Sequence, residues 1–233
     1  DLMQWLDIVA LGTVADVVPL TGINRALVAQ GLKVMAGRKN PGLNALSDVA
    51  RINERPSAYH AGFLLGPRVN AGGRVGRSDL GARLLSTDDS EIAKSIAAEL
   101  DLLNTERRDI EARVLDQAIA AAEAQAGTSP YLIFVAGHDW HAGVIGIVAG
   151  RLKERYQRPA CVVSLEGGVG KGSGRSVGTL HLGNAIIAAR EAGILAKGGG
   201  HAMAAGFEVS ADRLDDLRAF LSARFTGDMN GER

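Results

Sequence analysis

The chain has 233 residues, 46% apolar and 22% charged, the composition of a globular protein with one large or two modest domains. Acids and bases balance at 26 each, so net charge names no polyanionic partner. Aromatics at 4% offer no obvious series of base-stacking platforms. No apolar run reaches transmembrane length, no signal peptide is visible, and a lone cysteine, Cys161, excludes an internal disulfide, which suits a reducing cytoplasm.

Local charge is less even. Residues 1–20 hold Asp1, Asp7 and Asp16 with no base, whereas residues 66–77 hold Arg68, Arg74 and Arg77 with no acid. Residues 151–175 carry Arg151, Lys153, Arg155, Arg158, Lys171 and Arg175 against Glu154 and Glu166. Local sign decides where an anion docks.

The chain opens without an initiator methionine and already in a helical pattern (Leu2, Trp5, Leu6, Val9), as expected for a piece of a longer protein. To about Ser86, short helices separated by glycine and proline are expected, one of them N-capped by Asn24. From Ser90 to Gln125 the apolar residues Ile92, Ile96, Leu100, Leu103, Ile110, Val114 and Ala118 recur at steps of three and four, with no glycine or proline among them. Asp88 and Glu91 resemble a capping box, and Gly127 to Pro130 ends the segment. Such a helix, at ~1.5 Å per residue, spans roughly 50 Å and reads as a connector between two lobes. Thereafter strands and helices alternate: strands at 131–136, 160–165 and 205–209, helices at 142–156, 182–192 and 213–225. This is the pattern of an α/β lobe with a mixed sheet. The fold class is therefore α/β: a mostly helical first part, a long connecting helix, then a small α/β domain.

Three glycine-rich strips stand out: Gly66-Pro-Arg-Val-Asn-Ala-Gly-Gly-Arg74, Gly167-Gly-Val-Gly-Lys-Gly-Ser-Gly-Arg-Ser176 and Gly198-Gly-Gly-His-Ala-Met-Ala-Ala-Gly206. Bare backbone beside Arg, Lys, Ser and His is the material of an anion seat, most plausibly for phosphate. The 167–174 strip fits neither the P-loop nor the dinucleotide fingerprint, which argues against ATP or NAD. In extended chain Lys171, Ser173 and Arg175 would share one face. Arg68 and Asn70 would do the same if extended, with Gly72 and Gly73 turning the chain to bring Arg74 back; a solvated loop is the plainer alternative. His138 and His141 lie between a buried strand and a helix, where ligands of open α/β sheets collect. A zinc pair is discounted for lack of further ligands. Asp16 sits in an apolar stretch, where a turn or N-cap role stands beside a metal-ligand role. His60 and His181 read as structural or surface residues.

Five ordered segments together carry a resemblance: Leu6 to Leu20, Gly66 to Arg74, Trp140 to Arg151, Lys171 to Ser176 and Gly199 to Gly206. In order and spacing they resemble the bacterial single-stranded-DNA-specific exonucleases of the DHH phosphoesterase superfamily, over nearly the whole chain. The resemblance implies the C-terminal remnant of a DHH domain (1–86), a connecting helix (87–126) and a DHH-associated nucleic-acid-binding domain (127–233). It implies 5′→3′ removal of nucleotides from single-stranded DNA, in repair and recombination, with Mn²⁺ or Mg²⁺. It makes Asp16 the last acidic metal ligand and a catalytic residue. Arg68, Asn70 and Arg74 become cleft-facing substrate contacts. His141, Ser173, Arg175 and His201 hold the DNA backbone or its 5′ phosphate, with Lys171 beside them and His201 also catalytic. The superfamily's earlier metal motifs and a further C-terminal DNA-binding region are missing, so the chain is expected to be inactive by itself and to bind metal poorly. Two other readings are a sibling phosphoesterase acting on short oligoribonucleotides or cyclic dinucleotides, and a phosphate-binding module alone.

Overall fold

A computed structural model describes residues 2–125, 129–178 and 180–230. The chain divides into two compact units, residues 1–108 and 109–233. The first is helical: α1 (Leu6–Ala15), α2 (Gly22–Ala36), α3 (Pro41–Val49), a π-helical segment (His60–Leu65) running into α4 (Gly66–Val75), and α5 (Leu80–Ser86). The long helix α6 (Ser90–Ala124) follows. The second unit holds β1 (Ile133–His138), α7 (Ile145–Tyr156), β2 (Ala160–Glu166), β3 (Val169–Arg175), α8 (Leu182–Glu191), β4 (Lys197–His201), β5 (Ala204–Ser210) and α9 (Leu214–Asn230). No described helix is long and apolar enough to cross a membrane.

The first unit closes around Leu11, Met35, Leu43, Leu46, Leu65, Leu84 and Leu100. Burying each such side chain stabilises by about 1.5–3 kcal/mol. Helix α6 gives this core Ala93, Ile96 and Ala97, while Ile92, first of the expected stripe, is exposed. Farther along, α6 buries Val114, Ala118 and Ala122 and pairs Glu123 with Arg155 of α7. The expected stop at Gly127 and Thr128 lies outside the described residues.

The sheet order is β1-β2-β3-β5-β4. The β1–β2 pair is parallel, with α7 as its crossover, and the remaining pairs are antiparallel, so the expected mixed sheet is present. On one face Phe134, Cys161, Val163, Phe207 and Val209 pack with Ile186 of α8 and Leu217, Leu221 and Phe225 of α9. On the other face α7 lies over β2 and β3.

Four local expectations change. Helix α2 begins at Gly22, and Asn24 lies within its first turn, donating instead to the Pro19 carbonyl. The cap of α6 is Asp89 rather than Asp88: its Oδ1 accepts the N–H groups of Glu91 at 2.8 Å and Ile92 at 3.0 Å. The 66–74 strip is helix, not extended chain, because Pro67 falls in the first turn, where its missing N–H costs nothing. Strand β4, made of Lys-Gly-Gly-Gly-His, has no apolar alternation to announce it. Pairing with β5 defines it.

Candidate nucleic-acid interface

The glycines of β3 alternate with its polar residues, and the two sets meet different surroundings. Gly170, Gly172 and Gly174 face the apolar core. A Cβ on Gly172 would lie 2.0 Å from the Phe207 ring, and one on Gly174 would lie 2.7 Å from Leu182. These glycines make room for large side chains. Lys171, Ser173 and Arg175 occupy the opposite face, as extended chain requires.

Across the sheet on that face, Ser173 is in register with Gly206 of β5, which pairs with Gly199 of β4. Arg175 is in register with Ala204, which pairs with His201. With strands ~4.8 Å apart, Arg175 and His201 lie two strands, roughly 10 Å, from each other. A Cβ on Gly199 would meet nothing within 4 Å, and one on Gly206 would meet only a carbonyl at 3.9 Å. This part of the face is therefore a floor of bare backbone flanked by Arg175 and His201. At its far end Lys197 pairs with Glu208 at 3.8 Å, and Lys171 is in register with Glu208.

Helix α7 borders the floor. A Cβ on Gly146, in its first turn, would lie 3.0 Å from Ser173 Oγ and 3.1 Å from Arg175 Nη2. Arg175 Nη1 donates to Ser173 Oγ at 3.2 Å and to the Gly174 carbonyl at 2.9 Å, which fixes the guanidinium beside the start of α7. A cationic fork, a hydroxyl and the first amides of a helix thus converge, and each favours an oxyanion. Gly150, one helical turn on, also faces open space. His141 is exposed in the turn leading into α7, and its Nδ1 accepts the Gly143 N–H at 3.0 Å. In the neutral imidazole the proton therefore sits on Nε2, leaving that nitrogen a donor. His138 is exposed at the end of β1. His181 caps α8, accepting the Asn184 N–H at 3.2 Å, and His60 is buried against Glu54 and Ser57. Both are structural, as read from the sequence.

In the first unit, helix changes the geometry of the 66–74 strip. Residues two apart point about 200° apart around a helix, so Arg68 and Asn70 do not share a face, whereas Asn70 and Arg74 do. Arg68 is engaged structurally: Nε donates to Asp101 Oδ1 at 2.8 Å and Nη1 to the Leu64 carbonyl at 2.8 Å, with the side chain 16% exposed. Asp16 is an exposed residue ending α1, its N–H bonded to the Gly12 carbonyl, which is the turn role. A carboxylate at a helix C-terminus is disfavoured by the helix dipole. Among the described residues no group of three or more His, Cys, Asp or Glu could hold a metal ion, so Asp16 does not by itself fit a two-metal centre.

Residues 128–227 match the DHHA1 domain. The chain is 43% identical over 226 residues to the single-stranded-DNA-specific exonuclease RecJ of Dickeya dadantii, and 42% identical over 221 residues to that of Escherichia coli. These alignments cover 94% and 91% of the chain. The chain belongs to the RecJ family. It spans 39% and 38% of the length of those two RecJ proteins. RecJ from Thermus thermophilus, solved in complex with Mn²⁺, superposes with a TM-score of 0.86 at 33% identity, over 96% of this chain and 33% of that one. A second manganese-bound exonuclease RecJ gives a TM-score of 0.81, over 96% of this chain and 55% of that one.

Sequence reasoning missed Gly146 and Gly150 as part of this RecJ surface. Their spacing of four within an expected helix was the available signal, since two such glycines expose one strip of bare helix. It also missed the roles of Trp140 and Gln117. Trp140 is buried, and its Nε1 donates to Gln117 Oε1 at 2.6 Å.

Proposed function

We propose that this chain is the part of a 5′→3′ single-stranded-DNA exonuclease that seats the terminal phosphate and the adjoining strand. The observation that carries the reading is the open sheet face of the second unit. Arg175 and Ser173 meet the first turn of α7 at one border, His201 stands two strands away, and the floor between them has no side chains at Gly199 and Gly206. A phosphate would accept from the Arg175 fork, the Ser173 hydroxyl and the Nε2–H of a neutral His141, with Lys171 adding charge. A bare floor lets a sugar-phosphate backbone approach the sheet closely. In the first unit Asn70 and Arg74 form a second polar face on α4, and Arg68 supports that helix rather than the substrate.

The solved RecJ structures above contain Mn²⁺, and a divalent ion in the longer protein would supply Lewis-acid chemistry at the scissile phosphate. Asp16 offers one carboxylate toward such an ion, at a helix end where a cation would relieve an unfavourable dipole. The remaining ligands would come from outside these 233 residues, so the isolated chain hydrolyses nothing. His201 is proposed to contact substrate rather than to hold metal.

Two measurements test this. In fluorescence anisotropy at low salt, the chain should bind a 5′-phosphorylated oligodeoxynucleotide more tightly than its 5′-hydroxyl twin, and affinity should fall as salt rises; equal affinity for the two would remove the phosphate seat. Incubated with 5′-labelled single-stranded DNA and Mn²⁺, it should release no mononucleotide above a mock-purified control. Release would overturn the inactivity.

A further inference from the structure

We propose that Gln117 is a positioning residue for the phosphate seat, acting through Trp140; this rests on the reading of the seat given above. The loop between β1 and α7 carries His141 and sets where α7 begins. It is not held by its own backbone preferences, because Asp139 adopts the left-handed region at φ 60°, which a non-glycine residue occupies only under constraint. The constraint is Trp140, which is fixed in three ways. Its indole lies against Gly137, where a Cβ would come within 2.2 Å of the ring. Its carbonyl accepts the hydroxyl of buried Ser164. Its Nε1–H is accepted by Gln117 Oε1 at 2.6 Å.

The first two contacts come from β1 and β2, so they tie Trp140 to the sheet. Gln117 ties it to the long helix. The next residue after Trp140 is His141, whose Nδ1 takes the Gly143 N–H, and whose carbonyl takes the Val144 N–H at 3.0 Å as α7 begins. Gly146, the second residue of α7, faces Ser173 and Arg175. A rotation of the indole therefore shifts His141 and the start of α7 together, relative to a guanidinium anchored on β3. Gln117 acts without touching the ligand: it sets the angle of the ring that sets the loop. The ion pairs between α6 and α7, Arg151–Glu111 at 3.7 Å and Arg155–Glu123 at 3.5 Å, are longer and their arginines are exposed, so the short indole bond is the specific one.

The test uses the 233-residue chain and two oligodeoxynucleotides differing only in a 5′ phosphate or 5′ hydroxyl. The readout is the ratio of their affinities, which cancels effects on the rest of the strand. Q117L removes the acceptor at nearly constant size, and Q117E restores an acceptor. Q117L should lower the phosphate preference about threefold or more, the scale of one lost neutral hydrogen bond, and Q117E should recover most of it. W140F removes the donor, so the Q117L/W140F double variant should be no worse than W140F. Thermal melting of each variant checks that the unit stays folded. A merely structural bond would weaken both oligonucleotides alike or lower the melting temperature with the ratio unchanged. That outcome, or a Q117E ratio no better than Q117L, overturns the inference. If the wild-type chain shows no phosphate preference, the reading of the seat fails first and this inference falls with it.

Discussion

Replacing Gly183 by alanine tests how closely the second unit is built around bare backbone. Gly183 lies in the first turn of α8, and a Cβ there would come 2.8 Å from both the carbonyl carbon and oxygen of Gly200 and 2.9 Å from the amide nitrogen of His201. These are main-chain atoms of an edge strand already paired to β5, so no flexible side chain can swing aside. Helix and strand must separate by several tenths of an ångström. Overpacking of this kind costs about 1–3 kcal/mol, while alanine returns at most ~0.5–1 kcal/mol of helix preference. The net is a loss of about 1–2 kcal/mol, or roughly 4–10 °C for a unit of this size. Differential scanning calorimetry would show the transition of the second unit moving down, with that of the first unit unmoved. Gly150→Ala on α7 is the control: its Cβ meets nothing within 4 Å, so the same chemical change should hold or raise the melting temperature. A Gly183→Ala protein that melts at or above wild type would refute the close-approach argument. Because His201 belongs to the displaced strand, single-stranded-DNA affinity should fall as well.

Burial pushes the Asp7 carboxyl above its usual 3.8, and its bond from the Ile8 N–H only partly offsets this. The unfolded chain therefore ionises Asp7 at lower pH than the folded chain. Stability drops as pH rises through that interval and stays lower at neutral pH. Asp7→Asn should raise the melting temperature at about pH 7, with the gain shrinking below about pH 4; equal melting at neutral pH would contradict this. Cys161 is buried, and burial pushes its thiol from 9.0 up to about 12. Native protein should resist Ellman's reagent at about pH 8 and yield one thiol in denaturant. Between pH 9.0 and about 12 stability should fall by up to about 1.4 kcal/mol per pH unit. Arg68→Ala should lower the stability of the first unit by roughly 1 kcal/mol, through the loss of its half-buried bond to Asp101. It should leave the 5′-phosphate preference unchanged, and a selective loss of that preference would return Arg68 to the substrate.

The chain order of residues by itself determined the long helix, the buried strands and the strip Lys171–Ser173–Arg175, because periods of about 3.6 and 2 are written into local patterning. It also carried the five segments that place the chain among the RecJ proteins. It did not determine whether a glycine-rich strip is helix, strand or loop, since glycine is permissive of all three. Neighbours decided that: β3 formed a strand between β2 and β5, β4 was defined by β5, and the strip around Arg68 became helix with Asp101 within reach of the guanidinium. Nor could spacing tell the glycines that accommodate Phe207 and Leu182 from Gly199 and Gly206, which leave the sheet face open. That distinction depends on which face each residue presents and on what the rest of the chain packs against it. It is a property of tertiary contact, and no local preference encodes it.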